Sequence, residues 1–198
     1  MIEKTDFVAG APCLDFINTV GGHREGVNHD QLGAYDDLLD WAVAGELLTT
    51  ARAAPLLAIA KARPERAART LRRAKKFREA LHKIIGGYVA GRPPSQRDVD
   101  TANAEIGQAL SHLRLRRVAD GYEWCWEAAP MTLDMPLWPV ARNAGDLLSS
   151  DELGRLRECA SETCGWFLLD RSKNHSRRWC DMRDCGNREK MRRYRGVA

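Results

Sequence analysis

The last 48 residues of the chain hold four cysteines, at positions 159, 164, 180 and 185, in the pattern C-x4-C, fifteen residues, C-x4-C. A segment this short, with so few aliphatic side chains, cannot fold on apolar burial alone. Two close pairs of thiols separated by a hairpin-length segment are the arrangement of a four-thiolate zinc site, although the x4 spacing is longer than the commoner x2. Two disulfides, or four unrelated buried cysteines, are the alternatives. A bound zinc can contribute ~10–16 kcal/mol of apparent folding free energy. Cys159, Cys164, Cys180 and Cys185 would fill its coordination sphere, so the single Zn2+ would be structural, with no open position for water or substrate. His175 then has no necessary role as a ligand. Cys13 and Cys125 sit in apolar surroundings and read as core residues.

Charge is distributed unevenly along the 198 residues. Residues 1–150 hold 19 Lys+Arg and 19 Asp+Glu, whereas 151–198 hold 12 and 8, the whole of the net +4. Within the tail, 171–198 carry 10 basic and 3 acidic groups, a net of +7. A zinc bound by four thiolates is −2 overall, which lowers the tail from +4 to about +2. A basic end still points to an anionic partner, or to a solvated face that aids solubility.

The periodicity of residues 1–150 is mainly helical. Cys13, Leu14, Phe16, Ile17 and Val20 have helical spacing up to Gly21-Gly22. Asp36 or Asp37 caps a second helix through Leu38, Leu39, Trp41 and Val43, and Thr49 or Thr50 a third. The longest helix runs from Pro64 to about Val89, with Leu71, Ala74, Phe77, Leu81, Ile84, Ile85 and Tyr88 as its buried stripe. Ser95 caps the next, with Val99, Ile106, Leu110 and Leu113 inside. LRLRRVADGYEWCWEAA then alternates about Asp120-Gly121, a hairpin signal that pairs Leu113, Leu115 and Val118 with Tyr122, Trp124 and Trp126. A short helix over about Leu137–Leu148 follows. The fold class expected is mainly α with a small β-hairpin (α+β). It combines a helical N-terminal domain, 1–150, with a small treble-clef-like zinc module, 151–198.

Gly186-Asn187 follows the last cysteine and turns the chain into a short helix, REKMRRYR, with Asn187 as its cap. Asn187, Met191 and Tyr194 share one side and would pack on the metal site. Arg188, Arg192 and Arg195 form one cationic column, and Lys190 and Arg193 another. A metal-braced helix carrying Arg and Lys is a recurrent way to reach DNA, and Arg171, Lys173, Arg177 and Arg178 extend the surface along phosphates. Some of these arginines can instead donate hydrogen bonds to the thiolates.

Cys164 to Arg188, CGWFLLDRSKNHSRRWCDMRDCGNR, resembles the CGNR zinc-finger family, the signature being Cys185-Gly186-Asn187-Arg188. Gly10 to Thr19, GAPCLDFINT, is similar to the opening of the ABATE domain that precedes such fingers. The resemblance implies a bacterial two-part protein of a class described as stress-induced transcription regulators, with zinc at the same four cysteines. The N-terminal domain would then sense a small-molecule effector or mediate homodimerisation.

Other classes have less support. The chain has no G-x-S-x-G, P-loop, H-E-x-x-H or G-x-G-x-x-G motif, so no enzyme is expected. Asp15, Asn18 and His23 cluster near the end of the first helix and could line a ligand pocket, or simply cap the helix. Arg66, Arg69, Arg73 and Lys76 of the long helix form either a second anion patch or a solvated face. A zinc-stabilised protein-interaction module and a metal or thiol sensor remain the alternatives to a DNA-binding finger. No stretch approaches the ~18–20 apolar residues of a membrane helix, and no membrane partner is expected. MIEKTDFVAGAPC lacks the basic-then-apolar order of a secretory signal, so a cytoplasmic location with reduced thiols is the expectation.

Overall fold

A computed structural model describes residues 7–21 and 29–196. The central element is α4 (Pro64–Val89), with Pro64 at its first turn. Its Ala67, Leu71, Ala74, Phe77, Leu81, Ile84 and Ile85 are buried, as the three- and four-residue spacing requires. Around it pack α1 (Pro12–Ile17), α2 (Tyr35–Ala44), α3 (Thr50–Ala62) and α5 (Gln96–Ser111). α6 (Trp138–Leu148) packs in turn on α1 and α5. Phe16 is the aromatic centre, with ring centroids 6.1 Å from Phe77 and 5.3 Å from Trp41. Each such fully buried side chain stabilises the fold by roughly 1.5–3 kcal/mol relative to an exposed one. Among the described residues no helix is long and apolar enough to cross a membrane.

Helix ends follow local chemistry. Ser95 caps α5 by accepting the Asp98 amide. For α2 the cap is Ala34, and Asp37 is the third helical residue, whose carboxylate accepts the Ala34 amide at 2.7 Å. Its role is thus the carboxylate half of a capping box. Thr49 occupies the cap position of α3 without a side-chain bond. Tyr88 and Leu110, expected inside, are each 46 % exposed. Tyr88 rims an open cleft between α4, α5 and α6.

β1 (Val20–Gly21) and β2 (His29–Asp30) form a short antiparallel pair, and β3 (Leu113–Val118) and β4 (Gly121–Trp126) pair as an antiparallel hairpin. Val118 faces Gly121, so the two-residue loop is Ala119-Asp120, one position earlier than a turn centred on Asp120-Gly121. This register sets Leu113 against Trp126 and Leu115 against Trp124, the pairing that matches apolar to aromatic. Val118 falls on the opposite face. Cys125, expected in the core, lies on that second face too, half-buried. Its thiol points at the Arg114 carbonyl, at 3.5 Å.

A 3-10 turn (Asp151–Arg155) leads from α6 into β5 (Leu156–Glu158), which pairs antiparallel with β6 (Phe167–Leu169). A cut at 150/151 does not separate two cores. Leu156, Phe167 and Leu169 join the helical core, while Leu168 lies with the four cysteines. The period-two alternation of a strand explains this, since β6 is buried on both faces and each face serves a different cluster.

Candidate metal centre

Cys159 follows β5 directly, and Cys164 lies in the turn before β6. Gly165, just past Cys164, has φ +79°, a left-handed conformation that glycine adopts without strain. Cys180 ends the loop after β6, and Cys185 lies in a wide turn (Met182–Gly186) that runs without a break into α7 (Asn187–Tyr194). All four sulfurs lie within 4.8 Å of one another and all four residues are buried. Cys164 Sγ to Cys180 Sγ is 3.7 Å and Cys180 Sγ to Cys185 Sγ is 3.4 Å.

These separations are too long for disulfides, whose sulfurs lie ~2.05 Å apart. They match the ~3.8 Å edge of a tetrahedron of sulfurs around a metal with bonds of ~2.3 Å. Four converging buried thiols also conflict without a cation. Hydrogen bonding to Cys164 drives Cys159 below the ordinary thiol range, and hydrogen bonding to Cys159 drives Cys180 above it. A divalent cation removes the conflict, because all four can then be thiolates. The donor set fits one structural zinc. The pair-and-pair spacing of the sequence thus meets in space.

The surroundings brace this site. The Cys180 amide donates to Cys159 Sγ at 3.3 Å, and the Ala160 amide to the Arg178 carbonyl at 2.7 Å. Arg188 forks onto Asp184 (2.7 and 2.8 Å), reaches Thr163 Oγ1 at 3.2 Å and approaches Cys185 Sγ at 3.9 Å. Gly186 is a close-approach residue rather than a turn residue. A Cβ there would lie 2.6 Å from Met182 Sδ and 3.1 Å from the Trp179 ring. Asn187 is the first helical residue, not the cap, and its side-chain Nδ2 donates back to the Arg183 carbonyl at 3.1 Å.

α7 meets the module through the opposite side from the one its apolar residues suggest. Glu189 is buried, accepting from the Ser161 hydroxyl at 2.8 Å and the Glu162 amide at 3.2 Å. The Ser161 bond holds its carboxyl below the usual range. Met191 and Tyr194 are 49 % and 88 % exposed. A two-turn helix beside a polar knuckle is anchored by the orphan donors of that knuckle, which a carboxylate satisfies and a thioether cannot.

The nine cations divide into two groups. Arg171 pairs with Glu152 (2.7 and 2.8 Å) and donates to the Gly10 carbonyl. Arg177 donates to the carbonyls of Val8, Trp179 and Cys180. Arg188 braces Cys185, and Arg192 pairs with Glu162 at 2.6 Å. Lys173, Arg178, Lys190, Arg193 and Arg195 are exposed, and Arg178 lies over the Trp179 ring at 5.2 Å.

Asp15 and Asn18 have their polar atoms engaged within the fold. Both are buried, and their polar atoms serve the backbone of the segments that dock the module. Asn18 accepts the Phe167 amide (3.0 Å) and donates to the Phe167 carbonyl (2.8 Å), so its side chain replaces a neighbouring strand on the free edge of β6. Beside it the Leu169 amide donates to the Ala9 carbonyl at 2.7 Å, and Trp166 Nε1 to the Val20 carbonyl at 3.0 Å. Asp15 accepts the Ala9 amide at 2.8 Å. His23 lies outside the described residues. Asp170, missed in the sequence, accepts from the Ser172 amide and hydroxyl and the Arg177 amide, and so shapes the loop into Cys180. Its signal was an Asp two residues before a Ser.

Burial raises the Asp15 carboxyl from 3.8 to about 7, against the amides of Ala9 and Val8 and the charge of Arg177. Above pH about 4 the unfolded carboxyl has lost its proton, while the folded one keeps its own to about 7. The folded state binds more protons in that window, so this contribution to stability falls as pH rises through it and then levels off. Denaturant midpoints across pH 5 to 8 are expected to show the fall, of order a few kcal/mol at most, and D15N is expected to flatten it. An equal slope in D15N would assign the pH dependence elsewhere.

Residues 10–151 match the ABATE family, described as "Putative stress-induced transcription regulator", and residues 155–196 match the CGNR zinc finger. A comparison with curated proteins finds no significant match. With most of its length inside the first match and the four-cysteine cluster inside the second, the chain belongs to the ABATE family and ends in a CGNR zinc finger.

Proposed function

We propose that this protein is a transcription regulator whose zinc finger contacts DNA through the exposed cations of α7 and the loop before it. The observation that carries this reading is the division among the nine cations. Glu152, Asp184, Glu162 and the carbonyls of Val8, Trp179 and Cys180 hold four arginines, while Lys190, Arg193 and Arg195 project from a helix fixed to the metal site, with Lys173 and Arg178 nearby. Rigid mounting of exposed cations lowers the ordering cost of phosphate contact. A binding role rather than catalysis is supported by the closed coordination sphere, which leaves no place for a substrate on the metal. A cleft of about 710 Å³ lined by Ile84, Tyr88, Val99, Ile106 and Leu148 is where a small apolar effector would fit.

Fluorescence anisotropy with genomic duplexes tests the reading. Replacing Lys190, Arg193 and Arg195 by Gln is expected to make the dependence of log K on log salt shallower by about 3, at ~0.9 per phosphate contact. An unchanged slope, or no salt-sensitive binding by the intact protein, would sink it. A second reading, docking on an acidic protein surface, is favoured by the exposed Met182, Met191 and Tyr194 beside these cations. It requires a captured partner that survives nuclease treatment.

A further inference from the structure

The most basic segment of the chain is not in the finger. Residues 61–78 hold nine Lys and Arg against one carboxylate, Glu65, a net of +8. Three of the nine are committed to structure. Arg73 pairs with Glu105 (2.7 Å) and Asp134 (3.2 Å), Lys75 with Asp30 (2.9 Å), and Arg78 forks onto Asp30 while donating to Thr19 Oγ1 at 2.7 Å. Arg63, Arg66, Arg69, Arg72 and Lys76 are exposed and make no ion pair among the described residues. Arg66, Arg69, Arg72 and Lys76 recur at steps of three and four, so they share one side of the N-terminal half of α4, and with Arg63 at the N-cap the five cations span ~20 Å. Arg66, Arg69, Arg72 and Lys76 border one open groove with Thr70, Arg73 and Asp134, and the Asp134 carboxylate is already taken by Arg73 and by Gln108 at 3.0 Å. Helical stability does not require this concentration of like charge, since cations three and four apart on a helix repel.

We infer that this face of α4 is a second phosphodiester-binding surface, for the backbone of a nucleic acid, separate from the finger. This rests on the reading of the protein as a DNA binder and extends it to the helical domain. Three features select the occupant. Four of the five cations are arginines, whose planar fork matches phosphate oxygens. The face offers no exposed aromatic or large aliphatic anchor between Lys61 and Lys76, which a protein interface would place at its centre and an anionic membrane surface would take up. Its ~20 Å length spans roughly a dozen phosphates of duplex charge, at ~1.7 Å of axis each. The finger docks at the other half of α4, where His82 lies edge-on to Phe167 at 5.1 Å, so the two surfaces sit along one rigid helix.

The test compares the zinc-loaded full chain with a variant carrying R66Q, R69Q, R72Q and K76Q, and with the finger variant described above. A random-sequence duplex of about three turns is the probe. The four-residue variant is expected to bind at least about tenfold more weakly at ~0.1 M salt, with a slope shallower by about 3 to 4. R66K/R69K, which keeps the charge, is expected to retain most of the slope. Should the four-residue variant unfold, the single variants R69Q and R72Q, each expected to lose about 0.9 of slope, carry the same test. An unchanged slope in the α4 variant with a loss in the finger variant overturns this inference and leaves the finger reading intact. The reverse upholds the inference and removes the finger reading. Absence of binding by the intact protein overturns both. Displacement of the duplex by polyglutamate of equal charge overturns the nucleic-acid assignment in favour of an acidic protein. Sedimentation with phosphatidylserine vesicles that the α4 substitutions abolish, with duplex binding unchanged, overturns it in favour of a membrane.

Discussion

Stripping the metal with a strong chelator is expected to unfold the two knuckles and α7, Cys159 to Cys164 and Cys180 to Tyr194, while the helical core persists with Phe167 and Leu169 of β6 in it. The reason is the size of the second cluster. Beyond the four cysteines it contains Leu168, with Val8, Trp166 and Trp179 packed at its margin, too little apolar area to hold two knuckles and a two-turn helix. Zinc supplies an apparent ~10–16 kcal/mol in sites of this kind, so its loss exceeds any side-chain deletion in the chain. Thiol labelling reads the outcome directly. With metal bound, Cys125 is the accessible thiol, since Cys13 is fully buried and burial raises it to about 12. After chelation four more thiols are expected to react, together with loss of the near-ultraviolet signal of Trp166 and Trp179. C185S leaves three thiolates and is expected to lower zinc affinity by orders of magnitude. Four thiols that stay protected after chelation would contradict the account.

N18A is expected to have the largest effect of any change outside the metal site. The Asn18 side chain is both donor and acceptor to Phe167, 149 positions away, in a buried setting. Alanine leaves one amide and one carbonyl without partners, at about 1–3 kcal/mol each. It also loosens the edge of β6, whose Phe167 and Leu169 fill the helical core while Leu168 fills the zinc cluster. Equilibrium unfolding is expected to show a loss of about 2–5 kcal/mol and earlier release of zinc on heating. N18D keeps the acceptor but loses the donor, and introduces a buried charge, so it is expected to be at least as disruptive. A change within about 0.5 kcal/mol would mean that the strand-edge bonds are not formed in solution.

The cysteines were legible because metal ligation fixes residue type and spacing together, and their four-way convergence needs only two short turns. α4 was legible from Pro64 to Val89 because a 26-residue amphipathic pattern with proline at one end admits few alternatives. The side of α7 that faces the metal was not, because it is set by a long-range bond, Ser161 to Glu189, and apolar periodicity placed Met191 and Tyr194 inward. Asn18 was misplaced for the same reason. Its proximity to Asp15 was visible, but its partner strand lies at the other end of the chain. The arginines were legible as a charge density only. Which of them are spent on carbonyls and carboxylates depends on Val8, Gly10, Glu152 and Glu162, residues that carry no local signal.

X-ray absorption at the zinc edge on the purified protein tests the central claim, a closed four-thiolate site on which the finger is mounted. One zinc per chain with four sulfur neighbours at ~2.3 Å and no lighter neighbour is expected. A nitrogen or oxygen in the coordination shell, or fewer than four sulfurs, would contradict the closed site and with it the assignment of the metal as purely structural.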